Sequence, residues 1–187
     1  MTLAFTHDVE HALATVVDLV NSDPAIAGDE LLPDVASLAE FVTDQGISGV
    51  AELHDDDLMA IHAIRSQLRD VFATPDAETA AALLNKVLST FTVTPRLTNH
   101  DGYDWHIHYF APGARVAEHV IVDGGMALAF VVTTGEHERL QSCDAPDCNR
   151  VLVDLSRNRS KRYCDSRTCG NRLHVAAYRE RQRAAAG

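Results

Sequence analysis

Basic side chains are almost missing from the first 140 residues of this 187-residue chain, which hold six Lys or Arg against 22 Asp or Glu. A net charge of −16 over that stretch excludes a phosphate-binding face there, because its field repels polyanions. The chain also lacks a Gly-rich phosphate loop, a Gly-x-Ser-x-Gly elbow and a His-Glu-x-x-His helix. The common catalytic signatures are therefore absent and no enzymatic activity is expected. No apolar run looks long enough for a membrane span, and the N-terminus from Met1 to Asp8 has neither a basic start nor a signal-like apolar stretch. A cytoplasmic setting with no membrane partner and with reduced thiols is expected. Internal repeats are missing too, and low complexity is confined to the terminal Ala184-Ala185-Ala186-Gly187.

What is present in the acidic stretch is helical periodicity. Val9, Leu13, Val16, Val17 and Val20 form one stripe over Asp8 to Val20, and Val35, Leu38, Ala39 and Val42 form another over Pro33 to Gln45. Leu58, Ile61, Ile64, Leu68 and Phe72 predict a third helix from about Asp56 to Phe72, with Asp55, Asp56 and Asp57 at its positive end. A fourth runs from about Asp76 to Phe91 and stops before Pro95. Arg96-Leu97-Thr98, a turn at Asn99 to Gly102 and the segment Tyr103 to Phe110 predict a β-hairpin. Ala114 to Val132 reads as a helix despite Gly124-Gly125. A hydrophobic content of 46% suffices for a core in this larger segment.

Histidine is the titratable residue that stands out here. His7 and His11 lie four apart on a helix, and His106 and His108 share a strand face. Each pair can aim two imidazoles at one ligand or metal, which makes these four a further candidate ligand site. Alternation in a half-exposed strand would place polar residues on the wet face regardless, and Trp105 and Tyr109 either line a pocket or, as aromatics at period two more often do, belong to the core.

All four cysteines fall in the last 47 residues, at Cys143, Cys148, Cys164 and Cys169. This C-x4-C-x15-C-x4-C spacing gives two local pairs separated by a hairpin-length spacer, which brings four thiolates to one point at little loop-closure cost. In a reducing compartment these are ligands rather than disulfides, and one structural Zn2+ per chain is the expected occupant. Iron would accept the same four thiolates, but nothing else here suggests electron transfer. A segment this short builds no adequate core alone, so metal must replace one.

The same 47 residues carry ten basic groups against five acids. Val151 to Leu155 reads as a strand, Ser156 to Ser160 as its turn, and Lys161-Arg162-Tyr163 as the return to Cys164. Asn171 to Arg183 reads as a helix, with Leu173, Ala176 and Ala177 on its apolar stripe. Guanidinium binds phosphate through paired donors, so Arg157, Asn158, Arg159, Lys161, Arg162, Asn171, Arg172, Arg179 and Arg183 are the candidate contacts to DNA or RNA. For Asn171 and Arg172 the alternative is to brace the metal knuckles.

The expected architecture is α+β and predominantly helical. An acidic helical domain with a β-hairpin (1–136) precedes a small four-cysteine module of zinc-ribbon or treble-clef-like form with a C-terminal basic helix (137–187). Cys169-Gly170-Asn171-Arg172, with the stretch from Asp154 through Ser156-Arg157-Asn158 to Cys164, resembles the signature of the CGNR zinc-finger proteins. Leu19-Val20-Asn21-Ser22, Arg65 and Leu84-Asn85 resemble landmarks of the ABATE domain, a stress-induced regulator region that precedes the finger in that family. The resemblance implies a bacterial cytoplasmic protein with a structural zinc and a nucleic-acid-binding role in transcription. The helical domain would then sense an unknown small-molecule effector, form a homodimer, or both. The competing reading is a zinc-dependent module that docks on an acidic protein surface without binding nucleic acid.

Overall fold

The computed structural model describes residues 5–99 and 105–172, together with Val175, Tyr178, Arg179 and Gln182. Six helices come first: α1 (His7–Asn21), α2 (Pro24–Ala27), α3 (Val35–Asp44), α4 (Asp55–Phe72), α5 (Ala77–Leu88) and, after strands β1 (Arg96–Thr98) and β2 (His106–His108), α6 (Val116–Thr133). A 3-10 turn (His137–Arg139), strands β3 (Leu140–Ser142) and β4 (Val151–Val153) and a wide turn (Ser166–Gly170) complete the assigned elements. Side-chain caps set the helix starts. The Thr6 hydroxyl accepts the Val9 N–H, Asp34 that of Ser37 and Asp76 that of Thr79. The four-residue α2, begun by Asp23 and Pro24, is too short for any periodicity to reveal.

α6 is the central helix and packs against α1, α4 and α5. By length and composition it could cross a membrane, which corrects the expectation that no apolar run reaches that length. Its residues are mostly buried among the other helices, the pattern of a core helix. Gly124 and Gly125 do not break it. A Cβ on Gly124 would stand 2.4 Å from Val16 Cγ2, and one on Gly125 2.8 Å from Leu88 Cδ2, so the pair lets α1 and α5 approach α6 closely.

β1 and β2 pair antiparallel, Arg96 opposite His108 and Thr98 opposite His106, as the predicted hairpin requires. The expected turn from His100 onward and the strand start at Tyr103-Asp104 lie outside the described residues, as do Leu173, Ala176 and Ala177. The second hairpin differs from expectation. β4 pairs with β3, Ser142 opposite Val151 and Leu140 opposite Val153, rather than with the return segment 161–163. The reason is Asp154, whose fully buried carboxylate accepts the amides of Ser156 and Lys161 at 2.8 and 2.9 Å and turns the chain away after β4.

This β3–β4 hairpin does not stand apart from the helices. Leu140, Val151 and Val153 belong to the same buried cluster as α1, α4 and α6. In an antiparallel ladder alternate residues turn their N–H and C=O to the outer side. Val151 does so, and the buried side chain of Asn21 meets both groups: its Nδ2 donates to the Val151 carbonyl at 2.9 Å, and its Oδ1 accepts the Val151 N–H at 2.8 Å. Asn21→Leu would leave two buried backbone groups unpaired, at about 1–3 kcal/mol each. A loss of about 2–6 kcal/mol in stability is expected. Urea unfolding followed by Trp105 fluorescence checks it; an unchanged midpoint contradicts it.

Candidate metal centre

The first cysteine pair caps the β3–β4 hairpin. The Cys143 N–H donates to the Arg150 carbonyl at 2.8 Å, continuing the ladder, and the Cys148 N–H donates to the Ala145 carbonyl at 3.0 Å, closing a tight turn through Pro146 and Asp147. The second pair brackets the wide turn, where Gly170 donates to the Asp165 carbonyl at 3.1 Å and the Asp165 side chain accepts the amides of Arg167 and Thr168. Those amide hydrogen bonds hold the Asp165 carboxyl below its ordinary range.

All four Sγ atoms lie within 4.8 Å of one another, with Cys148 and Cys164 at 3.7 Å and Cys164 and Cys169 at 3.8 Å. A tetrahedral ion with Zn–S bonds of about 2.3 Å places its sulfurs about 3.75 Å apart, so the thiols already sit at coordination spacing. Burial and crowding by the other three sulfurs push the Cys164 thiol far up. Burial would raise Cys143 as well, but N–H groups of Cys164 and Ala145 outweigh it and hold its thiol below the ordinary value. Four thiols at this spacing cannot all ionise without a cation among them, which is the chemistry a structural Zn2+ supplies. Cys143, Cys148, Cys164 and Cys169 would hold it, and the Cys164 amide, 3.4 Å from Cys143 Sγ, supports that sulfur from outside.

The candidate contact residues divide into two groups. Arg172 grips Asp147 with both guanidinium nitrogens at 2.7 and 2.6 Å, and Arg162 donates to Asp144 at 2.6 Å. Each therefore bridges from the second half of the module to an acid of the first knuckle. Arg159 sits in the left-handed region at φ 50° and reaches Glu136 at 2.9 Å and Glu138 at 3.3 Å. Lys161 is held through its backbone on Asp154, and its Nζ lies 3.5 Å from the Val153 carbonyl. Arg157 and Asn158 are exposed on the turn after β4, and Asn171 and Arg179 are exposed on the helical segment after Cys169. Arg183 lies outside the described residues.

The four candidate histidines meet in one place. His7, His11, His106 and His108 all line a cavity of about 380 Å³ between α1, β2 and α6. Trp105 is largely exposed and lines this cavity together with Tyr109, which is the pocket alternative rather than the core one. Two further residues of the cavity, His119 and Asp123, are missing from the sequence analysis although their four-residue spacing in the mostly apolar α6 was a visible signal. His119 stacks on Phe110 with ring centroids 3.5 Å apart, and its burial pushes its pKa down, which favours the neutral ring.

The full-length protein is expected to hold one zinc per chain and Cys164→Ser to release it, read by elemental analysis and thiol titration. Because β3 and β4 are anchored in the helical core, hydrogen exchange should rise chiefly after Leu155. Metal-free protein with four freely titrating thiols, or uniform protection in the variant, contradicts this.

Comparison with known families agrees with the geometry. A family model described as "CGNR zinc finger" matches residues 139–182. A second, ABATE, described as "Putative stress-induced transcription regulator", matches residues 13–134. A search of curated proteins finds no match. With the ABATE model covering well over half of the sequence and the four-thiol site closing its C-terminal part, the chain belongs to the ABATE family and carries a CGNR zinc finger.

Proposed function

We propose that this zinc-binding regulator contacts nucleic acid through the basic side chains of its finger that are not engaged with acids. The supporting observation is the division just described. Arg157, Arg167 and Arg179 are exposed and form no ion pair among the described residues, whereas Arg159, Arg162 and Arg172 are committed to Glu136, Glu138, Asp144 and Asp147. Zinc fixes the turn after β4, the wide turn and the helical segment relative to one another, and the uncommitted arginines meet phosphates from all three. Asn158, exposed on the turn beside Arg157, meets a base edge or a sugar in this reading. A cytoplasmic location would keep the thiolates available to the metal.

Phosphate contacts from these three arginines set a slope no steeper than about −2.7 for log K against log salt on duplex DNA. Anisotropy titrations of the zinc-loaded full-length protein with mixed-sequence DNA and RNA measure it. The triple change Arg157→Ala, Arg167→Ala and Arg179→Ala should flatten the slope while zinc content stays at one. Binding that ignores salt and survives the triple change removes the support for this reading. It would favour docking on a protein through Val175 and Tyr178, which are exposed on the same helical segment.

A further inference from the structure

We propose that the cavity between α1, β2 and α6 binds a small, flat aromatic cation that carries N–H donors, of the aromatic amidinium type. This binding does not depend on what the finger contacts.

Size and wall set the first limit. At about 380 Å³ the cavity falls within the range that holds small organic ligands. Trp105, Tyr109, Phe110 and Phe130 bring four aromatic side chains to it, and two of them keep open faces, since Trp105 is 69% and Phe130 37% exposed. A tryptophan gains more than most side chains from burial, so one left this open at the edge of a cavity marks a surface short of a partner. A flat ring covers apolar surface that these two leave in water.

Charge decides which flat molecule fits. Among the described residues that line the cavity there is no Lys or Arg, whereas Asp8 and Asp123 bring two carboxylates. With its histidines uncharged at pH 7 the wall is net negative, and the −16 carried by the first 140 residues deepens that field. An anionic ligand is repelled and a cation is drawn in. The open aromatic faces add to the attraction, because their π electrons hold cations.

The hydrogen-bonding groups then ask for donors. Asp123 Oδ1 accepts the Tyr109 N–H and Oδ2 faces His108 Nδ1, both at 2.8 Å, so the carboxylate is fixed in place with its side chain still 21% exposed. Each carboxylate oxygen accepts two hydrogen bonds, which leaves one position open on each, and an amidinium, like a guanidinium, presents two parallel N–H groups to such a pair. His119 stands one helical turn away on α6 and lines the same cavity. Its ring is buried, it hydrogen-bonds the Ala114 backbone, and its Nε2 has no partner among the described residues. A neutral imidazole that donates through one nitrogen keeps a lone pair on the other. An occupant with N–H donors suits both residues, and one with acceptors alone suits neither.

The test uses the zinc-loaded full-length chain and calorimetry at about pH 8, above the usual imidazole range. The probes share one ring system: 2-naphthamidine is a cation with donors, 2-naphthamide a neutral donor, 2-naphthoate an anion, and 2-naphthyltrimethylammonium a cation without donors. The amidine should bind once per chain, at least tenfold more tightly than the amide or the trimethylammonium ion, and the naphthoate should not bind. Asp123→Asn should cost the amidine at least tenfold more than it costs the amide. Trp105→Ala, at an exposed position, should leave circular dichroism unchanged and weaken both at least tenfold. No saturable binding of the amidine overturns the proposal, as does naphthoate or the trimethylammonium ion binding as tightly as the amidine. Amidine affinity unchanged in the folded Trp105→Ala variant overturns it too, because the cation then sits elsewhere on the acidic surface.

Discussion

The buried amide of Asn21 is the contact on which the arrangement of this molecule depends. Sheet edges need partners, and a three-residue strand such as β4 has too few ladder bonds to stand alone beside a three-residue β3. Asn21 supplies a donor and an acceptor at the spacing of a neighbouring strand, so the last residue of α1 completes the outer edge of β4. The metal module is thereby seated on the helical core at the strand that leads from one cysteine pair to the other. Zinc closes the far side of the hairpin and Asn21 the near side.

Asn21 is itself held in place by charge. Arg65 on α4 is buried, and it donates to the Ser22 hydroxyl at 3.1 Å and, through two nitrogens, to Glu30 at 2.8 and 2.7 Å. Its Nε has no hydrogen-bond partner and lies at ion-pair range, 3.4 Å, from Asp23. Removing either side of such a group would strand a buried charge, so the corner after α1 is fixed by α4 rather than by its own short α2. The hydrogen bonds from Arg65 hold the Glu30 carboxyl below its usual range, and this favours the ionised form that the arginine needs. From this corner back along α1, Val16 wedges against Gly124, and the C-terminal half of the helix is positioned by groups far away in sequence.

The sequence made the helices and the four-thiol site legible because both signals are local. A stripe at period 3.6 and two cysteine pairs need only a few neighbouring residues to declare themselves. Asn21 and Arg65 were visible only as landmarks of a resemblance, since their roles depend on Val151 and Glu30, 130 and 35 residues distant. The pairing of β3 with β4 was hidden by the brevity of Leu140–Ser142, which shows no alternation, and by the side chain of Asp154, which imitates a turn partner that a pattern cannot display. The division of the arginines was likewise out of reach. Counting ten basic groups does not distinguish Arg172, gripped by Asp147, from Arg179, which has no such acid among the described residues.

That division also changes what the acidic helical domain can do to the finger. Every acid that pairs with a finger arginine among the described residues comes from Glu136 onward, within the linking segment or the module itself. The region before Glu136, which carries most of the acids, therefore does not cover those arginines directly; in the nucleic-acid reading proposed above it would act on an approaching polyanion through its field. A field is screened over about 8–10 Å at physiological ionic strength, whereas a guanidinium in contact with phosphate is screened far less. Added salt then weakens the repulsion by the helical domain along with the attraction by the finger. The two changes oppose each other, so the salt slope of the whole chain should be shallower than the number of phosphate contacts alone would give.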